Sequence, residues 1–119
     1  MRLPILLAAL AWSGAALAAD PAAGERVFKT QCGACHSALP GKNLVGPSLH
    51  DIVGRKSGAV EGFRYSAANK AAGLTWDAAT LDTYLTNPRA TIVGTTMTYV
   101  GIKNDTQRAD LIAYLATLK

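Results

Sequence analysis

The sequence predicts a small all-α domain of three to five short helices joined by long loops. Three observations predict it. Strand-like alternation is nearly absent. Several segments open on capping residues and then place apolar side chains at helical spacing. Residues 37–64 keep neither period and are punctuated by Pro40, Gly41, Gly46, Pro47, Gly54, Gly58 and Gly62. A run of that length without regular structure is unusual in a compact domain and calls for something to wrap around.

Taken in order, residues 1–19 (MRLPILLAALAWSGAALAA) read as a signal peptide, leaving a single domain over residues 20–119. Arg2 supplies the positive start, Leu3 to Trp12 is apolar apart from Pro4, and Ala16-Leu17-Ala18 offers the small residues a signal peptidase reads. Cleavage is expected after Ala18 or Ala19. The rival is a retained anchor, but Ser13 and Gly14 interrupt the apolar run before the roughly 20 residues a span needs.

The domain opens on Asp20-Pro21, a cap followed by proline at the first helical turn. A helix to about Gln31 then aligns Gly24, Val27, Phe28 and Gln31 on one side, and a glycine there points to close backbone packing. Ser66 caps AANKAA, which Gly73 ends. Asp77 caps AATLDTYLT, with Leu81, Tyr84 and Leu85 on one face and Asn87-Pro88 as its stop. An irregular segment is expected from Arg89 to Lys103. Asn104 and Gln107 then form a capping box for a last helix whose buried stripe is Leu111, Ile112, Tyr114, Leu115 and Leu118. So few short helices make a thin core, and a large flat cofactor would supply the missing interior.

Lysine and arginine total 12 and acids 8, so losing Arg2 with a leader leaves a net charge of +3. That mild excess favours acidic partners through field steering. It forms no dense basic stripe, and nucleic acid is not an expected partner. Export places the chain in an oxidising compartment, here the periplasm. A disulfide-stabilised secreted domain would carry four or six cysteines; this chain has two, Cys32 and Cys35. A bridge across so short a loop would remove little unfolded-state entropy.

Those cysteines sit in CGACH, residues 32–36. C-x-x-C-H is the attachment signature of a c-type haem. Residues three and four apart share a helical face, so Cys32 and Cys35 can both bond the edge of one macrocycle as thioethers while His36 reaches its iron. Two rivals are weaker. A thioredoxin-like dithiol stands beside a βαβ pattern, and no strand precedes Cys32. A zinc site wants four ligands, and beyond these three only His50 is on offer.

For the sixth iron ligand the candidates are Met97 and His50. Met97 is the one methionine beyond Met1 and lies in the loop GTTMTYVG, off any helix stripe, where the alternative role of a lone methionine is core filling. His50 lies only fourteen residues past His36 among turn residues and reads as a surface histidine. With His36 and Met97 as metal ligands, both axial sites are filled and the iron can only change charge. One-electron transfer, not catalysis on a bound substrate, is then the expected function, and the chain is expected not to be an enzyme.

Across residues 24–118 the chain resembles class I cytochrome c, in mitochondrial-type proteins and their short soluble bacterial relatives. CGACH, GPSLHDIVGRKSG, GFRYSAANKAAGLTW, LDTYLTNP, GTTM and RADLIAYL carry the resemblance. It implies the small cytochrome c fold, with one haem c held by two thioethers, and a soluble monomeric carrier between respiratory or photosynthetic membrane complexes. Position by position, it implies thioethers on Cys32 and Cys35, axial ligands at His36 and Met97, and a Pro47 carbonyl that fixes the histidine ring. It implies haem propionate contacts at Arg55, Tyr65, Asn69 and Trp76, and a hydrogen-bonding pair, Tyr84 and Thr95, on the methionine side. Gly24, Phe28, Leu111 and Tyr114 match the packing of the first and last helices.

The chain also departs from the family. Gln31, Ala90, Thr96 and Asn104 stand where lysines are usual around the exposed haem edge, while Arg26, Arg89 and Lys103 remain. Val93 replaces a usual proline, and the loop after His36 is one residue shorter than in mitochondrial forms. The implied docking face, near Arg26, Arg89, Thr96, Tyr99 and Lys103, should therefore rely more on apolar contact than on charge. Two other function classes are separable by experiment. A peroxidase or gas-binding protein would take cyanide or carbon monoxide tightly. A module of a larger complex would copurify with a partner.

Overall fold

A computed structural model describes residues 18–119, so all but the last two residues of the expected leader lie outside the described residues. Five helices follow in order, and no strand forms among the described residues: α1 (Pro21–Gln31), α2 (Ala67–Ala71), α3 (Ala78–Thr86), α4 (Pro88–Thr91) and α5 (Asp105–Thr117). No described helix is long and apolar enough to cross a membrane.

Each helix begins where the sequence supplies a cap. Asp20 accepts from the Ala22 amide, Ser66 from Asn69, Asp77 from Thr80 and Asn104 from Gln107. The Asp77 carboxyl is held below its ordinary range by its bonds to Thr80. The stretch after Thr86 differs from expectation. Asn87 ends α3 and its side chain also accepts from the Ala90 amide, so one residue caps two helices in succession. Pro88 does not stop the chain there; it occupies the first position of α4, where its fixed φ and missing N–H cost nothing.

The molecule's seam is α1 against α5. Gly24 lies on the Asp110 carbonyl and the Tyr114 side chain, and a Cβ there would overlap the carbonyl oxygen. Phe28 meets Tyr114 with ring centroids 5.5 Å apart, and the Asp20 amide donates to Asp110 Oδ1 at 2.8 Å. Leu111 is fully buried, and with Leu115 of α5 and Leu81 and Leu85 of α3 it belongs to one core cluster.

Arg108 is 7% exposed. Its Nε donates to Asp82 Oδ1 at 2.6 Å, its Nη2 to Asp105 Oδ1 at 2.8 Å and its Nη1 to the Ile102 carbonyl at 3.0 Å. Hydrogen bonds to the two aspartates push its pKa upward, so the charge is fixed. One guanidinium thus registers α3, α5 and the loop between α4 and α5. That loop also lies on the end of α3: the Ile102 amide donates to Leu85 O at 2.7 Å, and Lys103 Nζ donates to Thr86 O. Gly101 makes the approach possible, with φ +100° and its Cα against the Thr86 carbonyl.

The long segment after α1 is irregular but tied. Gly46 N donates to Cys35 O, Leu49 N to Ser37 O and Ser57 N to Leu74 O, each at 2.8 Å. Gly54 and Arg55 exchange bonds with Trp76, beside a single antiparallel bridge between Lys56 and Thr75. These ties anchor the segment at both ends and leave its inner side facing a cavity.

Candidate functional site

The cavity has a volume of about 520 Å³, within the range of roughly 300–1,000 Å³ typical of small-molecule sites. Its wall is apolar and aromatic: Leu49, Ile52, Phe63, Trp76, Leu81, Leu85 and Leu115 are part of it. None of the residues lining it is Asp, Glu, Lys or Arg.

Cys32, Cys35, His36 and Met97 all line this one space. Cys32 ends α1, and a single turn follows in which Cys35 N and His36 N both donate to Cys32 O, at 3.1 and 2.9 Å. The turn brings residues 32, 35 and 36 onto one wall, as the motif requires. His36 Nδ1 lies 2.7 Å from the Pro47 carbonyl oxygen. That bond fixes the tautomer with the proton on Nδ1 and leaves Nε2 with a lone pair able to bind a metal. Burial lowers the imidazole pKa, partly offset by the Pro47 contact, so the ring is held neutral as a ligand must be. Gly46 lies against the ring, and a Cβ there would overlap it.

Met97 enters from the loop between α4 and α5. Its amide donates to Thr95 Oγ1 at 3.2 Å, and the Tyr84 hydroxyl lies 3.7 Å from its sulfur as donor. Burial pushes the Tyr84 phenol up to about 12, so it stays protonated and available to donate. Trp76 packs on Tyr84 with centroids 4.7 Å apart.

The remaining expected site residues divide. Tyr65 and Pro47 line the cavity; Tyr65 Oη accepts from the Val60 amide at 2.9 Å. Arg55 and Asn69 are not part of its wall. Arg55 pairs with Asp51 at 3.6 Å and borders a separate surface depression. Asn69 Oδ1 is buried without a partner, an orphan that a polar ligand group could satisfy. His50 is half-buried and lies outside the cavity wall.

Sequence reasoning overlooked two contributors. Gly46 shows only as a turn residue until its contact with His36 is seen. The apolar wall is drawn from positions scattered through the irregular segment and two helices, which no single period links.

The site suits a haem. An apolar chamber surrounds the flat macrocycle's expected place, two cysteines share its wall, and a neutral imidazole and a thioether are both present. It does not suit a reactive dithiol, because burial and then the neighbouring Cys35 push the Cys32 thiol up to about 11, where little thiolate forms. It does not suit zinc either, since no group of three or more His, Cys, Asp or Glu side chains converges among the described residues.

Comparison with known proteins agrees with this chemistry. The family model described as cytochrome c matches residues 21–119. A cytochrome c2 from Rhodomicrobium vannielii is 53% identical over 119 residues, covering 98% of this chain and 94% of that protein. A cytochrome c2 from Rhodoblastus acidophilus is 50% identical over 103 residues, covering 86% of this chain and 95% of its own. A cytochrome c from the plant Nigella damascena is 46% identical over 99 residues, covering 82% and 89%. With a haem-attachment turn, an apolar chamber to receive the macrocycle and a match over almost every described residue, the chain belongs to the cytochrome c family.

Proposed function

We propose that the protein is an exported, monomeric one-electron carrier whose single haem c is bonded to Cys32 and Cys35 and ligated by His36 and Met97. The observation that carries this reading is the convergence of those four side chains on one uncharged cavity, with His36 oriented by Pro47 and the Met97 sulfur met by Tyr84. The bound haem supplies the redox change. His36 and Met97 would hold its iron, and the apolar wall would exclude water. A thioether ligand together with an imidazole would favour the reduced iron relative to two imidazoles. The hydroxyl of Tyr84 stabilises the sulfur's position without adding a charge. With His36 and Met97 both bound to it, the iron would be closed to outside substrates, and the chain would act as a carrier and not as an enzyme.

Arg55, Tyr65, Asn69 and Trp76 are assigned to the propionate side, where Asn69 would donate through its side-chain N–H. Residues 1–19 act as the export signal, and the domain over residues 20–119 works in the periplasm. Its partners are membrane redox complexes, and it docks through the face carrying Arg26, Arg89, Thr96, Tyr99 and Lys103. Val45 and Val100 line the cavity together with Thr96 and Tyr99, are 78% and 68% exposed, and would add apolar contact there.

Two measurements test the reading. The oxidised protein should show the weak long-wavelength absorption of an iron–sulfur bond, and Met97→Ala should abolish it; a band that survives excludes Met97. Electron-transfer rates with membrane complexes should change less than about tenfold across a salt series, well below the range seen for strongly steered pairs.

A further inference from the structure

Gln31 and Tyr99 are 68 residues apart in sequence, yet the Tyr99 hydroxyl donates to Gln31 Oε1 at 2.9 Å. Both side chains line the cavity. Gln31 is the last residue of α1, immediately before Cys32, and Tyr99 lies two residues past Met97. The bond therefore ties the end of α1, directly before the two cysteines, to the segment that presents the methionine. Among the described residues, the other hydrogen bonds of residues 94–100 run to α3, to α4 and its cap, within the segment, or to Lys103. Arg89, for example, donates to the Thr98 carbonyl at 3.3 Å. Those bonds tie the segment to α3, α4 and Lys103. Among the described residues, the Gln31 bond is its tie to α1.

We infer that Gln31 and Tyr99 form a positioning latch that keeps the Met97 segment closed over the cavity and slows entry of outside ligands. Tyr99 is suited to the task. A phenol ordinarily ionises only at about pH 10, so its hydroxyl is a donor across physiological pH. Gln31 supplies an uncharged acceptor, so the latch does not depend on ionic strength. Val93 and Gly94, at the start of the segment, are both exposed and so bury little that would hold it down. The inference rests on the Met97 assignment for its spectral readout but not for its structural one.

The test compares the haem-loaded wild type with Gln31→Ala, Tyr99→Phe and the double variant. The first readout is the rate at which added imidazole removes the long-wavelength sulfur–iron band. The second is amide hydrogen exchange over residues 94–100. Each single variant should accelerate both by about two- to tenfold, the range one hydrogen bond supports. The double variant should go no faster than either single, because all three lack the same bond. Gln31→Glu, which keeps an acceptor oxygen, should hold the wild-type values. Unchanged rates in the single variants, or effects that multiply in the double, overturn the latch. If the wild type shows no sulfur–iron band but exchange still accelerates in the variants, the latch stands and the methionine assignment falls.

Discussion

The α1–α5 seam and the wall of the cavity hold together by different means. At the seam, two helices meet directly: Gly24 admits the Asp110 backbone, Phe28 and Tyr114 fill the next layer, and Leu111 is fully enclosed. The cavity wall is built largely from chain without regular structure, tied at its ends and facing a space of about 520 Å³. The seam contains its own interior. The wall borrows one from the haem. The difference teaches that the two regions should respond differently when the haem is withheld, and that helix packing alone does not specify the loops.

Withholding the haem should produce the largest effect. In Cys32→Ala/Cys35→Ala, where no thioether can form, residues 37–64 and 92–103 should lose amide protection and Trp76 its near-ultraviolet signal. Residues 21–31 and 105–117 should keep part of their helical signal. Equal protection in both regions would break the comparison. Next in size is Gly24→Ala, which forces a methyl group into the Asp110 carbonyl and should cost about 3 kcal/mol by denaturant titration of the haem-loaded protein. An unchanged midpoint would show that the seam is looser than its geometry.

The smallest effect sharpens the comparison through pH. Folded Tyr84 keeps its proton up to about 12, whereas a free phenol loses it near 10. In that interval the unfolded chain binds fewer protons than the folded one, so stability falls as pH rises. The contribution is complete below about pH 10 and gone above about pH 12. Tyr84→Phe should flatten part of that alkaline slope. Tyr99, also held near 12, and Tyr65 and Tyr114, both raised by burial, keep the remainder. Thermal unfolding between pH 9 and 12 measures the slope, and an identical slope in the variant would remove Tyr84 from the account.

Most of the helical frame was legible because its signals are local. Asp20-Pro21, Ser66, Asp77 and Asn104 announce their helices, and each accepts the expected amide. Gly24 was legible as a point of close packing because an interior helical glycine has a cost that needs a reason. α4 was not, since Asn87-Pro88 signals a stop and a start equally well, and only tertiary context selects the second. Within the site, the attachment motif gave Cys32, Cys35 and His36 their chemistry directly. The wall around them was hidden, because residues such as Ile52, Phe63 and Leu115 converge only in three dimensions. Arg108 was hidden for the opposite reason: on a helix read by its apolar stripe, a charged residue is assigned to the surface, and its three partners lie on other turns and other elements.

That buried guanidinium reaches the methionine-bearing loop through a main-chain carbonyl, so the fastening does not depend on the side chain at position 102. A graft of residues 92–103 from a relative would stay fastened as long as positions 82, 105 and 108 of the host are left intact. Chimaeras that respect this trio should keep their red colour through purification, and those that split it should bleach.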